Sequence, residues 1–314
     1  MNDFHTPVLL QEAIDFLKVK KGSKYIDATL GGGGHSKKIL ELGGIVLGID
    51  QDEDAISYVK SQPIRQTQGE KSTHSANSGR EVKIWDNLTL ALGNFKNIDK
   101  IARLKDFSRA SGILFDLGVS SFQLENPERG FSYQKEGPLD MRMDKKLKVQ
   151  AADLLNILTK GELDELFFKL GEENNSRTIS DGIVRARGIK PIRTTGDLVL
   201  IIQESLGKKG RTSALKRSFI AKRIFQALRI AVNDELNSLR EVLLAAYSLL
   251  DKKGRVAVIS FHSLEDRIVK NAFKEFELKN MGRIITKKPI VPSLLEIERN
   301  SRSKSAKLRV FEKI

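Results

Sequence analysis

Tyr25-Ile26-Asp27-Ala28-Thr29-Leu30-Gly31-Gly32-Gly33-Gly34-His35-Ser36 is the stretch on which the fold turns. Tyr25 to Ala28 reads as a short buried strand, the glycines end it, and Ser36 to Leu42 reads as a helix. Ile45-Val46-Leu47-Gly48-Ile49-Asp50 is a second apolar strand with an acidic end, followed by a helix from Asp54 to Lys60 with Ala55, Ile56 and Val59 on one face. A βαβα opening of this kind starts a parallel, doubly wound α/β sheet.

Working outward, residues 61–81 are polar with one large aliphatic side chain, Ile64, and read as a surface loop. Leu88 to Leu92 and Gly112 to Asp116 resume as strands, the latter again acid-ended. Asn126 to Asp144 carries Pro127, Gly130, Gly137 and Pro138 and is predicted to be a loop. Short helices are predicted at 151–158, 161–170, 176–187 and 195–206. One long helix is predicted over about 217–250, because Ile220, Ile224, Leu228, Val232, Leu236, Leu239 and Leu243 recur at three- and four-residue spacing. Arg255 to Ser260 is a fifth buried strand. Ile284 to Thr286 and Lys307 to Phe311 suit an antiparallel edge pair. The domains expected are a discontinuous α/β core at 1–135 and 226–314, and an inserted all-helical domain at 136–225.

Composition narrows the function. The 314 residues contain no cysteine and four histidines, which excludes disulfides and thiolate chemistry and argues against any metal centre. No apolar run approaches the ~18–20 residues needed to cross a bilayer, and the first residues lack a signal-peptide pattern, so a soluble cytoplasmic protein with no membrane partner is expected. The net charge is +14, unevenly spread: residues 1–176 are close to neutral, 177–229 carry a net +10 and 230–314 a net +6. Two basic regions on an otherwise balanced chain suit a polyanion such as nucleic acid, since each neutralised phosphate releases counterions.

Three acid-bearing stretches could carry chemistry. In the first, glycines after a strand let the backbone approach a ligand, and Asp50 at the next strand's tip can accept hydrogen bonds from both ribose hydroxyls of an adenosine. The loop is not a P-loop, and Ser36 replaces the last glycine of a dinucleotide fingerprint; pattern alone leaves S-adenosylmethionine and NAD both open. The second is Phe115-Asp116-Leu117-Gly118-Val119-Ser120-Ser121-Phe122-Gln123, at the carboxyl edge of the sheet. The third, Ser260 to Arg267, reads equally as a helix start capped by Ser263, with Glu265 and Asp266 facing the dipole.

Several blocks together resemble the bacterial ribosomal RNA small-subunit methyltransferase H family. They are His5-Thr6-Pro7-Val8-Leu9-Leu10, the 27–36 loop, 116–123, Glu128-Arg129-Gly130-Phe131-Ser132, Gly137 to Met143, Phe225-Gln226-Ala227-Leu228-Arg229-Ile230, Ser260 to Arg267, and Arg302 to Arg309. The sequence departs from that family's pattern at 61–81, which is longer, and at 213–225, which lacks a His-Pro-Ala-like turn. The resemblance implies a Rossmann-like class I S-adenosylmethionine methyltransferase sheet with a helical insert, methylating N4 of a cytidine in the decoding region of 16S rRNA. The substrate is expected within the small ribosomal subunit, and a homodimer is a further expectation. Carried onto this sequence, the cofactor contacts are Gly33, Gly34, His35, Asp50, Phe95, Asp116 and Gln123. Asp116 has a second reading, as an acceptor for the N4 protons. Substrate contacts are expected from Phe131, Tyr133 and Arg142, in a loop read either as a lid over the base or as a structural strap, and from Lys216, Arg217, Lys222 and Arg223. Two competing functions are an NAD-type oxidoreductase on the same fold and a non-catalytic RNA-binding assembly factor.

Overall fold

A computed structural model describes residues 7–62, 84–207 and 213–314, so the expected loop at 61–81 lies almost entirely outside the described residues, as do His5 and Thr6. Along the chain, α1 (Leu10–Leu17) precedes β1 (Lys24–Asp27), α2 (Gly34–Glu41), β2 (Ile45–Asp50), α3 (Glu53–Ser61), β3 (Leu88–Leu92), α4 (Ile98–Leu104) and β4 (Ala110–Asp116). A helical stretch follows: α5 (Ser121–Glu125), α6 (Ala151–Ile157), α7 (Lys160–Gly171), α8 (Ser176–Arg187), α9 (Thr195–Ser205) and α10 (Ala214–Asn233). The chain then runs through α11 (Glu235–Leu249), β5 (Leu250–Ser260), α12 (Ser263–Leu278), β6 (Gly282–Ile284), α13 (Leu294–Arg299) and β7 (Lys307–Lys313).

The chain divides into two compact units, residues 1–118 with 238–314, and residues 119–237. The first holds a seven-stranded sheet of order β3-β2-β1-β4-β5-β7-β6. The first five strands are parallel; β7 runs antiparallel to both β5 and β6. This is the doubly wound, largely parallel sheet with an antiparallel edge pair expected from the sequence. Its inner strands read as nearly unbroken apolar runs because both faces are covered. Ile26, Leu47, Ile49, Ile113, Phe115, Val256 and Val258 bury against α4, α11 and α12 on one side. Their alternates Tyr25, Val46, Leu114, Ala257 and Ile259 bury with α1 and α2 on the other.

The second unit has its own core, built from Leu155, Leu163, Phe167, Ile179, Ile183, Leu198, Ile202, Ile224 and Leu228. It is wider at both ends than the 136–225 insert read from sequence. At one end Phe131, and at the other Ala227 and Leu228, bury in the same helical core as Leu139, Met141 and Met143. The single helix expected over 217–250 is two helices. Asp234, at φ 49°, breaks it, and the Asn233 side chain just before donates to the carbonyl of Met141 at 2.8 Å and accepts from the Met143 N–H at 2.7 Å. The four short helices match their expected spans to within a residue. Strand β5 begins five residues earlier than expected, with an irregularity opposite Ala110 and Gly112.

Candidate active site

The parallel register places Asp27 opposite Gly48 and Leu114, so the acids ending β1, β2 and β4 lie along one carboxyl edge. The glycine loop is fixed there by both flanking strands. The Asp50 carboxylate accepts from the Gly31 N–H at 2.8 Å through one oxygen and from the Asp52 N–H at 2.9 Å through the other. Thr29 Oγ1 accepts from the Asp116 N–H at 2.6 Å, tying the loop to β4. Gly33 sits at φ 76° as the residue before α2, a conformation that favours glycine. A side chain at Gly34 would meet the Pro7 ring at 2.9 Å, so the Pro7-Val8-Leu9 segment lies directly on the loop.

His35 is buried between that segment and the sheet. Its Nε2 lies 3.2 Å from the Val8 carbonyl, and its Nδ1 lies 3.6 Å from Asp116 Oδ2. A carbonyl only accepts, so His35 donates from Nε2 and, when neutral, turns its Nδ1 lone pair towards Asp116. Phe95, just past β3, packs edge-on against Phe115 with ring centres 5.9 Å apart. Gln123 belongs to the second unit, where it closes a capping box at the start of α5. It donates its N–H to Ser120 Oγ, and its Oε1 accepts from the Ser120 N–H.

Asp27 stands inside the quoted loop, yet the sequence reading does not single it out as a site residue. It is fully buried and accepts from Ser36 Oγ at 2.6 Å. Burial pushes its carboxyl up to about 6, against the lowering effect of hydrogen bonds from Ser36 and Thr29. Asp50 is likewise pushed up to about 6, by burial first and then, more weakly, by Asp52 and Asp27, against the backbone hydrogen bonds it accepts. Asp116 is raised well above the usual carboxylate range by burial, then by Asp27 and Glu265. The three acids thus form an edge where negative charge is concentrated and costly.

The third sequence candidate is a helix start, as its plainer reading held, but the cap is His262 and not Ser263. His262 Nδ1 accepts from the Glu265 N–H, and Glu265 Oε2 accepts from the N–H groups of Phe261 and His262. Asp266 takes a two-pronged contact from Arg309 on β7, at 2.6 and 3.2 Å. That tail cation therefore has an internal partner.

In the second unit the loop from Glu128 to Asp144 is tied down by hydrogen bonds and apolar packing. Arg142 donates twice to Asp140 at 2.8 Å and to the carbonyls of Lys145 and Leu147. Phe131 is buried. Tyr133 packs edge-on against Phe225, with its hydroxyl 3.3 Å from that of Ser218. Phe131 packs in the helical core and Arg142 is bonded within the loop. Lys222 and Arg223 on α10 are exposed and Arg217 half-buried; the side chain of Lys216 lies outside the description. Arg187 and Arg229, two of the cations behind the local +10, are internal. Arg187 donates to the carbonyls of Leu155 and Leu158, and Arg229 forks onto Glu235 at 2.9 Å.

Comparison with known proteins adds a family to this geometry. The chain is 44% identical over 99% of its length to a ribosomal RNA small subunit methyltransferase H of Carboxydothermus hydrogenoformans, covering 98% of that protein. It is 42% identical over 99% to one of Halothermothrix orenii, again covering 98%. A solved rRNA methylase from Streptococcus thermophilus aligns over 98% of both chains at 11% identity and a TM-score of 0.42, too loose a likeness to carry any argument. The model of the MraW methylase family matches residues 2–314, taking in the glycine loop, the acid-ended strands and the helical unit alike. The chain therefore belongs to the MraW methylase family.

Proposed function

We propose that this protein transfers a methyl group from S-adenosylmethionine to N4 of a cytidine in the decoding region of 16S rRNA. The observation that carries the choice of cofactor is the acidic edge formed by Asp27, Asp50 and Asp116. S-adenosylmethionine brings a sulfonium and an ammonium group, and positive charge there offsets both burial and mutual repulsion. The pyrophosphate of NAD would add to the repulsion, which disfavours the oxidoreductase reading. The buried carboxylates thus fit the cationic cofactor. Gly33, Gly34, His35, Asp50, Phe95 and Asp116 would hold it. Asp50 retains acceptor capacity for ribose hydroxyls, since each of its oxygens has a second lone pair beyond the backbone contact.

When bound, the cofactor supplies a methyl already activated by its sulfonium. The work left to the protein is to position an amine whose lone pair is delocalised into the cytosine ring. An acceptor at the N4 protons lets that nitrogen pyramidalise and takes up the proton it must lose. Of the two roles open to Asp116, the burial of its side chain supports cofactor contact over contact with N4. The helical unit is the substrate-recognition part, supported by the exposed Lys222 and Arg223 and the half-buried Arg217 on α10. An assembled small subunit as substrate, a homodimeric enzyme and a cytoplasmic site of action complete the proposal. Among the described residues no helix is long and apolar enough to cross a membrane.

The test is to incubate the protein with tritiated S-adenosylmethionine and either free 16S rRNA or small subunits that lack the modification, then map the label. Label at a decoding-region cytidine N4 supports the proposal. Cofactor binding with no label in either substrate would instead favour the non-catalytic assembly factor. Tighter binding of NAD than of S-adenosylmethionine would overturn the cofactor assignment.

A further inference from the structure

Among the described residues only two phenylalanines are exposed, and both lie in the helical unit. Phe168 on α7 is 58% exposed and Phe219 on α10 is 66% exposed. Every phenylalanine described in the sheet unit is buried or half-buried. The surroundings of Phe219 are basic. Lys222 and Arg223 stand three and four residues further on, hence on the same helix face, and both are exposed. The opposite face of α10, with Ile220, Ile224, Ala227 and Leu228, is buried in the core. Helices α7 and α10 are in close backbone contact: a Cβ at Gly171 would sit 2.9 Å from the Arg223 carbonyl, and Gln226 donates to the Leu170 carbonyl at 3.3 Å. Arg223 is anchored there by the buried Glu173, at 3.4 Å, while its side chain stays half exposed.

An aromatic ring kept in water beside two cations has little to offer the fold. It does match an unpaired nucleotide, whose base presents a flat π face and whose phosphates carry the complementary charge. A duplex hides its base faces within its own stack, so the ring gains nothing from paired RNA. A protein partner could also cover an exposed phenylalanine, but the flanking cations and the net +10 of residues 177–229 favour a polyanion.

We propose that the outer face of α10, with α7 beside it, is a stacking platform for unpaired bases of the RNA substrate. Phe219 is the base-contacting ring, and Lys222 and Arg223 meet the adjoining phosphates. This rests on the reading of RNA as the substrate and adds to it a surface and a single-strand preference.

The experiment uses the full-length protein with a short, labelled single-stranded RNA of mixed sequence and the matching duplex, followed by fluorescence anisotropy. Phe219→Ala is expected to weaken single-strand binding about five- to 150-fold and to leave duplex binding unchanged. Phe219→Leu, which keeps an apolar side chain without a ring face, is expected to lose as much. Phe219→Trp is expected to restore binding, with its indole emission quenched by the RNA. Lys222→Ala is expected to reduce the steepness of the salt dependence by about 0.7, and Phe219→Ala to leave it unchanged. Because Phe219 is exposed, all variants should melt with the wild type. Phe219→Leu binding single strands as tightly as the wild type would overturn the stacking role. So would equal losses on strand and duplex. A change in sedimentation with RNA affinity intact would assign the face to a protein partner. Failure of the wild-type protein to bind either RNA at low salt would instead overturn the RNA-substrate reading on which the platform rests.

Discussion

Replacing Asp27 with asparagine tests the acidic edge directly, because the reasoning fixes the sign of two effects. The Asp27 carboxyl is raised from 3.8 to about 6 in the folded protein. Below about pH 4 both folded and unfolded chains hold this proton. Between about 4 and 6 the folded chain keeps a proton that the unfolded chain has lost, so stability falls as pH rises; above 6 the loss is complete. A shift of roughly two units at 1.36 kcal/mol each comes to about 3 kcal/mol of stability forgone at neutral pH. The substituted amide carries no charge at any pH, and it can still meet Ser36 Oγ and the Thr29 N–H. The hydrogen bonds from Ser36 and Thr29 already hold the carboxyl below where burial alone would put it, so their strength is contained in that figure. Asp27→Asn should therefore gain up to about 3 kcal/mol at pH 7.5, several degrees in melting temperature, and only about 1 kcal/mol at pH 4.5, where the unfolded chain has lost most of its proton and the folded chain has not. The same change removes negative charge from the edge, so affinity for S-adenosylmethionine should fall more than affinity for S-adenosylhomocysteine, which lacks the sulfonium. Thermal melts of the unliganded proteins at the two pH values, with titrations of both ligands at pH 7.5, measure each part. If Asp27→Asn melts below the wild type by the same margin at both pH values, the carboxyl is not held protonated by burial and the argument fails.

Asp50→Ala should weaken S-adenosylmethionine about 10- to 150-fold, the worth of a charge-assisted contact of ~1.5–3 kcal/mol, and should speed amide exchange at Gly31, which loses its acceptor; unchanged affinity by calorimetric titration removes Asp50 from the site. Arg142→Ala should lower the melting temperature by several degrees while the folded fraction methylates at the normal rate, because the guanidinium holds the loop to Asp140 and two carbonyls; normal melting with lost turnover would favour the lid. Gly130→Ala should destabilise the helical unit severely, since its φ is +69° and a Cβ would lie 2.2 Å from the Pro138 carbonyl; an unshifted melt would contradict the packing described. Binding of ribosomal substrate should fall with log salt at a slope near ~−4 to −5 for about six neutralised phosphates, with S-adenosylmethionine binding flat; a flat profile for the substrate would exclude backbone contact.

The legible parts of the sequence are those fixed by neighbours in the chain. Strand, glycines, helix and acid follow one another between Tyr25 and Asp50, so the loop and its Asp50 anchor can be read directly. The helix break at Asp234 cannot, because the buried positions of α10 and α11 continue one apolar period straight through it. What stops the helix is Asn233 bonding to a loop some 90 residues earlier, a contact with no local trace. Charge counting fails in a related way. It cannot tell Lys222, which faces water, from Arg187, which is tied to two carbonyls, or from Arg309, which is forked onto Asp266. That loop is half legible: its apolar residues demand packing, and the Asp140-Arg142 pair stands two residues apart in plain view. The surface they pack on is set by the tertiary fold.

The position of β7 between β5 and β6 bears on how the chain is made. The helical unit is one continuous stretch and can fold as soon as it leaves the ribosome. The sheet cannot, because β5 must wait for residues 307–313 before its outer edge is paired. During synthesis the first four strands therefore stand as an incomplete sheet while the more than one hundred residues of the helical unit are added. The outer edge of β5 is then paired last. That interval, between the emergence of Ser260 and of Lys307, is when the nascent protein is most open to chaperones and to misassociation.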